Sequence, residues 1–308
     1  MQYTIARKAQ FRGVGLHSGA AVRLAILPAP VDHGIVFSRT DLGGLRIPAR
    51  WDLVKPSQLC TLLEGEDGVT ISTIEHVMAA LSGLGITNAL IEINGPEVPI
   101  LDGSAAQFVA GIEEVGVRAQ AAPLRAIRVL RTVEVHHGEG FARLSPADNL
   151  EIHFDIDFTD AAIGHQEKSL NMANGAFVRE LMDSRTFCRL SDVETMQKSG
   201  LALGGTFMNA VVIDGDKVLS PGGLRHQDEA VRHKMLDAVG DLALAGAPLL
   251  ARYTGHRAGH AMTNKLLRAL FAAPDAWEWV TLTEGQHKRL PGAGVFRQAP
   301  RVGELAVA

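Results

Sequence analysis

The chain has 308 residues, 46% of them hydrophobic and 21% charged, with 32 glycines marking many turns. That composition belongs to a soluble globular protein of one large domain or two of about 150 residues. A net charge of −4 and a pI near 6.3 leave no basic surface, so nucleic acid is not an expected partner. Cys60 and Cys188 form no C-x-x-C pair, which fits a reducing cytoplasm and predicts a cytoplasmic location. No uncharged apolar run reaches the ~18 residues of a membrane span. The opening MQYTIARKAQF has no apolar h-region, so no secretory signal is expected.

In chain order, residues 2–40 alternate and turn through YTIARKAQFRGVGLHSG, AVRLAILPAP and GIVFSRTD, the pattern of short antiparallel strands. A helix is predicted over about 72–83, stopping at SGLG, then a strand at NALIEING. A second helix follows in PILDGSAAQFVAGIEEVG, capped near Asp102 or Ser104. The pattern lapses at VRAQAAPLR, placing a domain boundary near residue 123. Strands resume at IRVLRTVEVHHG, FARLSPAD and LEIHFDIDF, with a helix near 174–183 and then SRTFCRL. Residues 190–220 have the look of an irregular insertion with one short helix. DEAVRHKMLDAVGDLALAG is a clear helix, PLLARYTG a strand, and about 258–272 a last helix. Each half runs strands, a histidine-bearing helix ending in Gly, a strand and another helix. The expected fold is α+β: two similar layered sheet-and-helix domains, 1–123 and 124–295, with a weakly structured tail at 296–308.

On the first of these helices Ile74, Val77, Met78 and Leu81 form the apolar stripe. His76 lies opposite, with Ser72, Ala79 and Gly83, on a face that is small where a solvated face would carry Lys, Glu or Arg. The later helix repeats this: Val231, Met235, Val239 and Leu242 share a stripe, and His233, Asp237, Gly240 and Leu244 lie opposite. Small residues permit close backbone approach, so the two faces could meet between the domains, and histidines buried there would need partners. His233 and Asp237 stand at i and i+4 and point the same way. The spacing alone is weak, because His153 and Asp157 share it. Those two fall in a strand, where four residues span roughly 13 Å and cannot chelate one ion. Two histidines and one carboxylate with a fourth position open make the pattern of a catalytic zinc site. Structural histidines in a domain interface are the alternative. Glu75 precedes His76 and has two readings: with Ser72 it fits the S/T-x-x-E capping box, or it serves as a base beside a metal.

The blocks GVGLHSG, TISTIEHVMAALSGLGITNALIEINGPEVPILDGSAAQF, SRTF, LGGTF, LRHQDEAVRHKMLDAVGDL and GHRAGHAMTNKLL together resemble the UDP-3-O-acyl-N-acetylglucosamine deacetylases, zinc amidases of lipid A synthesis in Gram-negative bacteria. The resemblance spans nearly the whole chain in the right order. It implies two layered α+β domains with the active site between them, and removal of acetate from the nitrogen of a UDP-sugar that carries a 3-hydroxyacyl chain. It further implies Zn2+ on His76, His233 and Asp237, Glu75 as general base, and His260 as general acid and oxyanion stabiliser. Asp241 would keep His260 protonated, and the Thr186 hydroxyl would serve the oxyanion. Lys234 corresponds to a position linked to the diphosphate, Asp157 and Phe158 to positions near the uracil, and Phe187 to the sugar. Taken alone, each of these also reads blandly: Lys234 and Asp241 as exposed helix charges, His260 as a surface histidine at a helix start, and Phe158 and Phe187 as packing.

The insertion corresponds to the family's acyl-chain passage, though its small apolar residues would equally suit a core. Where some members carry a lysine this chain has Gly140, and Arg257 precedes the Gly-His element, so a different distribution of diphosphate contacts is expected. His17 has no assigned role. Two rival readings are another zinc amidase or peptidase, against which stands the absence of H-E-x-x-H, and a non-catalytic nucleotide-sugar or lipid binder, which would have no need of Glu75 and His260.

Overall fold

A computed structural model describes residues 1–296; apart from Phe296, the expected tail lies outside them. The main sheet of the first half contains β1 (Ala9–Val14), β2 (Ala21–Pro28), β3 (Ile35–Arg39), β4 (Leu45–Pro48) and β5 (Ala89–Ile93). Its spatial order is β1-β2-β5-β3-β4. All neighbours are antiparallel except β5 and β3, which run parallel. Helix α1 (Glu75–Gly83) leads into β5, and α2 (Ala106–Val115) follows it.

The second half repeats this topology. Its strands β6 (Val133–His137), β7 (Gly140–Pro146), β8 (Glu151–Asp157), β9 (His165–Asn171) and β10 (Leu249–His256) lie in the order β6-β7-β10-β8-β9. Again only the third and fourth, β10 and β8, are parallel. Strands Arg125–Val129 and Trp277–Thr281 extend this sheet beside the start of β10. Short helices α3 (Ala176–Glu180) and α4 (Leu190–Lys198) precede α5 (Glu229–Ala243), which leads into β10, and α6 (His260–Phe271) follows. The rhyme read in the sequence is therefore a repeat of strand order and direction.

Each sheet presents its alternate apolar residues to its helices: Phe11 meets Phe108 of α2 with ring centroids 5.0 Å apart, and Ile152, Phe154 and Ile156 are buried along β8. Helix α1 is closed off two residues beyond its end by Gly85, whose φ of +73° is costly for any residue with a Cβ. Helices α1 and α5 form the contact between the halves. A Cβ placed on Gly240 of α5 would press on the backbone of Glu75 and Ala79 in α1, so the two small faces do meet. Eight of the nine residues of α1 are buried, Glu75 and His76 among them. The expected side-chain cap of α2 is not formed, its flanking residue being Ala105; Asp102 instead accepts from the Ser104 amide and hydroxyl, and Ser104 Oγ accepts from the Ala106 amide.

Candidate functional site

At the α1–α5 contact the second residue of α1, His76, faces His233 and Asp237, one turn apart on α5. The Nε2 atoms of His76 and His233 lie 3.6 and 3.4 Å from Asp237 Oδ1, and the two rings stand edge to face at 5.1 Å. Asp237 Oδ1 is buried and has no hydrogen-bond partner, an arrangement that costs about 1–3 kcal/mol unless something else satisfies it. Ligand atoms about 2.0–2.1 Å from a tetrahedral zinc lie roughly 3.3 Å from each other, so these separations suit a divalent ion shared by the three residues. The protonation states agree. His233 Nδ1 donates to the Ser184 carbonyl at 3.0 Å, which leaves the Nε2 lone pair aimed at the cluster. Burial pushes the His233 pKa down to about 4, keeping the ring neutral, as a ligand must be. Burial alone would raise Asp237, but His233, Lys234 and His260 outweigh it and hold the carboxyl well below its usual range.

Of the two readings of Glu75, its contacts exclude the capping box. Helix α1 begins at Glu75 with Ile74 as its flanking residue and no side-chain cap. Ser72 closes a strand and bonds the Pro96 carbonyl, so the capping box is not formed. The Glu75 carboxylate instead points into the cluster, accepts from the Thr61 amide at 3.1 Å and comes within 3.9 Å of His260 Nε2. Burial raises its pKa, placing it closer to a working base than an exposed glutamate would be. Opposite it, the first residue of α6, His260, bonds Asp241 Oδ2 through Nδ1 at 2.8 Å, and Thr61 Oγ1 donates to Asp241 Oδ1 at 2.6 Å. Burial opposes a charged ring, but Asp241, Asp237 and Glu75 overcome it and lift His260 to about 9. The cluster thus holds a buried carboxylate and a buried imidazole side by side, each with its pKa raised.

A third segment, Ser184–Phe187, supports the cluster. Glu229, the first residue of α5, is 1% exposed and takes the Arg185 guanidinium through both oxygens at 2.9 and 3.1 Å. It also accepts from the amides of Arg185 and Arg225. Burial would raise Glu229, but these donors hold it below its ordinary pKa. This clamp pins Ser184 where its carbonyl reaches His233. Thr186 comes next, its amide on the Gly103 carbonyl, and Phe187 stands edge-on to both His233 and Phe158. The Arg189 guanidinium covers Phe158, which is half-buried just beyond β8. Asp157 is exposed and binds Arg257 Nη2 at 2.6 Å. The Lys234 ammonium contacts Asp237 Oδ2 at 3.1 Å, placing a cation on the edge of the cluster.

His17 is buried with neither ring nitrogen bonded, and burial lowers its pKa. Its turn is held by Glu97, which accepts from the His17 and Ser18 amides and from the hydroxyls of Ser18 and Thr73. Leu203 and Gly204 of the insertion bond the carbonyls of His17 and Leu16, so this turn joins the insertion to the segment leading into α1. Sequence reasoning did not find Thr61, Ser184, Arg185, Glu229 or Glu97. The last four lie in or beside blocks already quoted, but their roles are contacts between distant segments.

The comparisons with known proteins cover the segment that contains these residues. A family model described as UDP-3-O-acyl N-acetylglycosamine deacetylase matches residues 2–272. The chain belongs to that family. It is 50% identical over 285 residues, 92% of this chain and 97% of the relative, to a UDP-3-O-acyl-N-acetylglucosamine deacetylase of Phenylobacterium zucineum. It is 46% identical over 283 residues, 91% and 92% of the two chains, to one from Shewanella violacea. For one from Shewanella baltica the figures are 44% over 302 residues, 96% and 99%. Membership makes the chain a deacetylase, a hydrolytic enzyme, and agrees with the mixed α/β architecture. No helix among the described residues is long and apolar enough to cross a membrane.

Proposed function

We propose that the chain hydrolyses the N-acetyl group of UDP-3-O-(3-hydroxyacyl)-N-acetylglucosamine, releasing acetate, as an early committed step of lipid A biosynthesis in the cytoplasm. Zn2+ would be held by His76, His233 and Asp237, with residues 1–123 and 124–295 as the two domains that bring the ligands together. The observation that carries this reading is the orphaned, buried Asp237 Oδ1 between two imidazole nitrogens, with Glu75 and His260 beside the same space. When bound, the ion would polarise the acetamide carbonyl and acidify water.

This chain's own residues supply the proton traffic. Glu75 takes a proton from the attacking water, and its raised pKa makes it a stronger base than an ordinary carboxylate. His260, held charged by Asp241, faces the developing oxyanion and then delivers a proton to the leaving amine. The Thr186 hydroxyl adds a second donor to the oxyanion. Lys234 both steadies Asp237 and offers its charge to the diphosphate; Phe158 stacks on the uracil with Asp157 at its polar edge, and Phe187 contacts the sugar. The insertion receives the acyl chain. In support, Leu190, Leu203, Phe207, Met208 and Leu219 expose large apolar side chains there, and such exposure clusters where an apolar ligand or partner binds. Acetate release from the acylated UDP-sugar and from plain UDP-N-acetylglucosamine, measured with bound zinc, tests the reading. Turnover of the acylated substrate alone, lost on zinc removal and restored by zinc, is expected; equal turnover of both would overturn the substrate assignment.

A further inference from the structure

The open face of the second sheet carries a cluster that deacetylation does not use. Along β8, Ile152, Phe154 and Ile156 point into the core, so His153, Asp155 and Asp157 point outward. Asp155 lies directly opposite Glu167 of β9 on one side and His256 of β10 on the other. His165, two residues before Glu167, shares that face. His165 Nε2 is 3.2 Å from Asp155 Oδ1, His256 Nδ1 is 3.4 Å from Asp155 Oδ2, and His153 Nε2 is 3.5 Å from Glu167 Oε1.

Two carboxylates directly opposite on paired strands repel each other. Their neighbours on this face have permanent cations: Arg252 for Glu151, Arg257 for Asp157. Asp155 and Glu167 have only imidazoles among the described residues, and Asp155 Oδ1 is buried without a hydrogen bond. One donor atom each from Asp155, His165 and Glu167 lies within 4.8 Å of the other two.

We propose that Asp155, His165 and Glu167 form a second divalent transition-metal site, which clamps β8 to β9 on the open face of the sheet, with His153 and His256 beside it. The ion would relieve the carboxylate repulsion and satisfy Asp155 Oδ1. A nitrogen donor with two carboxylates suits Zn2+, Ni2+ or Cu2+ better than Mg2+, which prefers an all-oxygen octahedron with several waters. With His165 and Glu167 more than half exposed, water completes the shell, and the site binds more weakly than the buried cluster.

The test is calorimetric titration of holoprotein, carrying one zinc equivalent in the buried cluster, with Zn2+ and separately with Mg2+. The wild type takes up a second equivalent of Zn2+ and no comparable Mg2+. Even losing a group that only hydrogen-bonds a ligand typically weakens a metal site by about 10–100-fold, so His165→Ala and Glu167→Gln should each weaken the second equivalent by at least about tenfold. The double variant should abolish it while the first equivalent, which reports intact folding, and acetate release remain. Anomalous scattering at the zinc edge from zinc-soaked wild-type crystals locates the second ion without any substitution. A missing second equivalent, one that persists in the double variant, one filled equally by Mg2+, or one located at the buried cluster would each overturn the proposal. Because the readout is stoichiometry and position, failure here leaves the catalytic reading untouched.

Discussion

Gly240→Ala probes the contact on which the metal cluster rests. A Cβ at that position would fall 2.9 Å from the Glu75 carbonyl carbon and 3.1 Å from the Ala79 nitrogen, and closer still to the Glu75 oxygen. Unbonded carbons settle at about 3.5–4.0 Å, and all three atoms belong to helix backbone, so no rotamer change relieves the clash. Helices α1 and α5 must part by something on the order of 1 Å. Overpacking of this kind costs about 1–3 kcal/mol, while replacing a helical Gly by Ala returns about 1 kcal/mol. The net loss is therefore about 0–2 kcal/mol, a fall in Tm of only a few degrees. A metal held by the proposed ligands would feel the same displacement far more. His76 rides on α1 and the other two ligands on α5, and coordination distances tolerate only about ±0.2 Å. Competition with a chelator should show zinc affinity reduced at least about tenfold, beside that modest change in Tm. Wild-type zinc affinity in Gly240→Ala would refute the claim that the helix contact sets the ligand geometry.

Glu75→Gln retains an oxygen for the Thr61 amide but cannot accept the water's proton; turnover should fall by about 10²–10⁴ with zinc content and Tm unchanged, and near-normal turnover would remove Glu75 as the base. Asp237→Ala should abolish stoichiometric zinc binding by direct metal analysis while circular dichroism shows the fold retained; full occupancy would refute the ligand set. Activity should be bell-shaped in pH, lost as pH falls and Glu75 protonates, and lost as pH rises and His260 deprotonates, at or below about 9 because a bound cation opposes the charged ring. Asp241→Asn removes the carboxylate that does most to raise His260, so the alkaline limb should move to lower pH; an unmoved limb would show that His260 is not the group titrating there.

Much of the site was legible because helices and strands expose their periods in sequence. The 3.6-residue period put His76 on the small face of its helix and His233 with Asp237 on the small face of another. The two-residue period dismissed His153 and Asp157, now seen in β8 with alternate residues buried. The repeat of elements was legible too, although only strand pairing showed that the order and direction of all five strands recur. What local pattern could not supply was the outcome of competition between partners. Ser72 and Glu75 fit a capping box by spacing, yet Ser72 bonds Pro96 and Glu75 turns to Thr61 and His260. Thr61 and Asp241 are 180 residues apart, and Ser184 reaches His233 across 49. Such contacts leave no periodic trace, because they arise only when packing brings separate segments together. The residue types available to the chemistry were thus set by sequence, whereas burial and proximity in the folded chain raised the pKa of Glu75, kept His233 neutral and His260 charged. Those shifts come from lost water and neighbouring charge, and neither exists until α1, α5 and α6 meet.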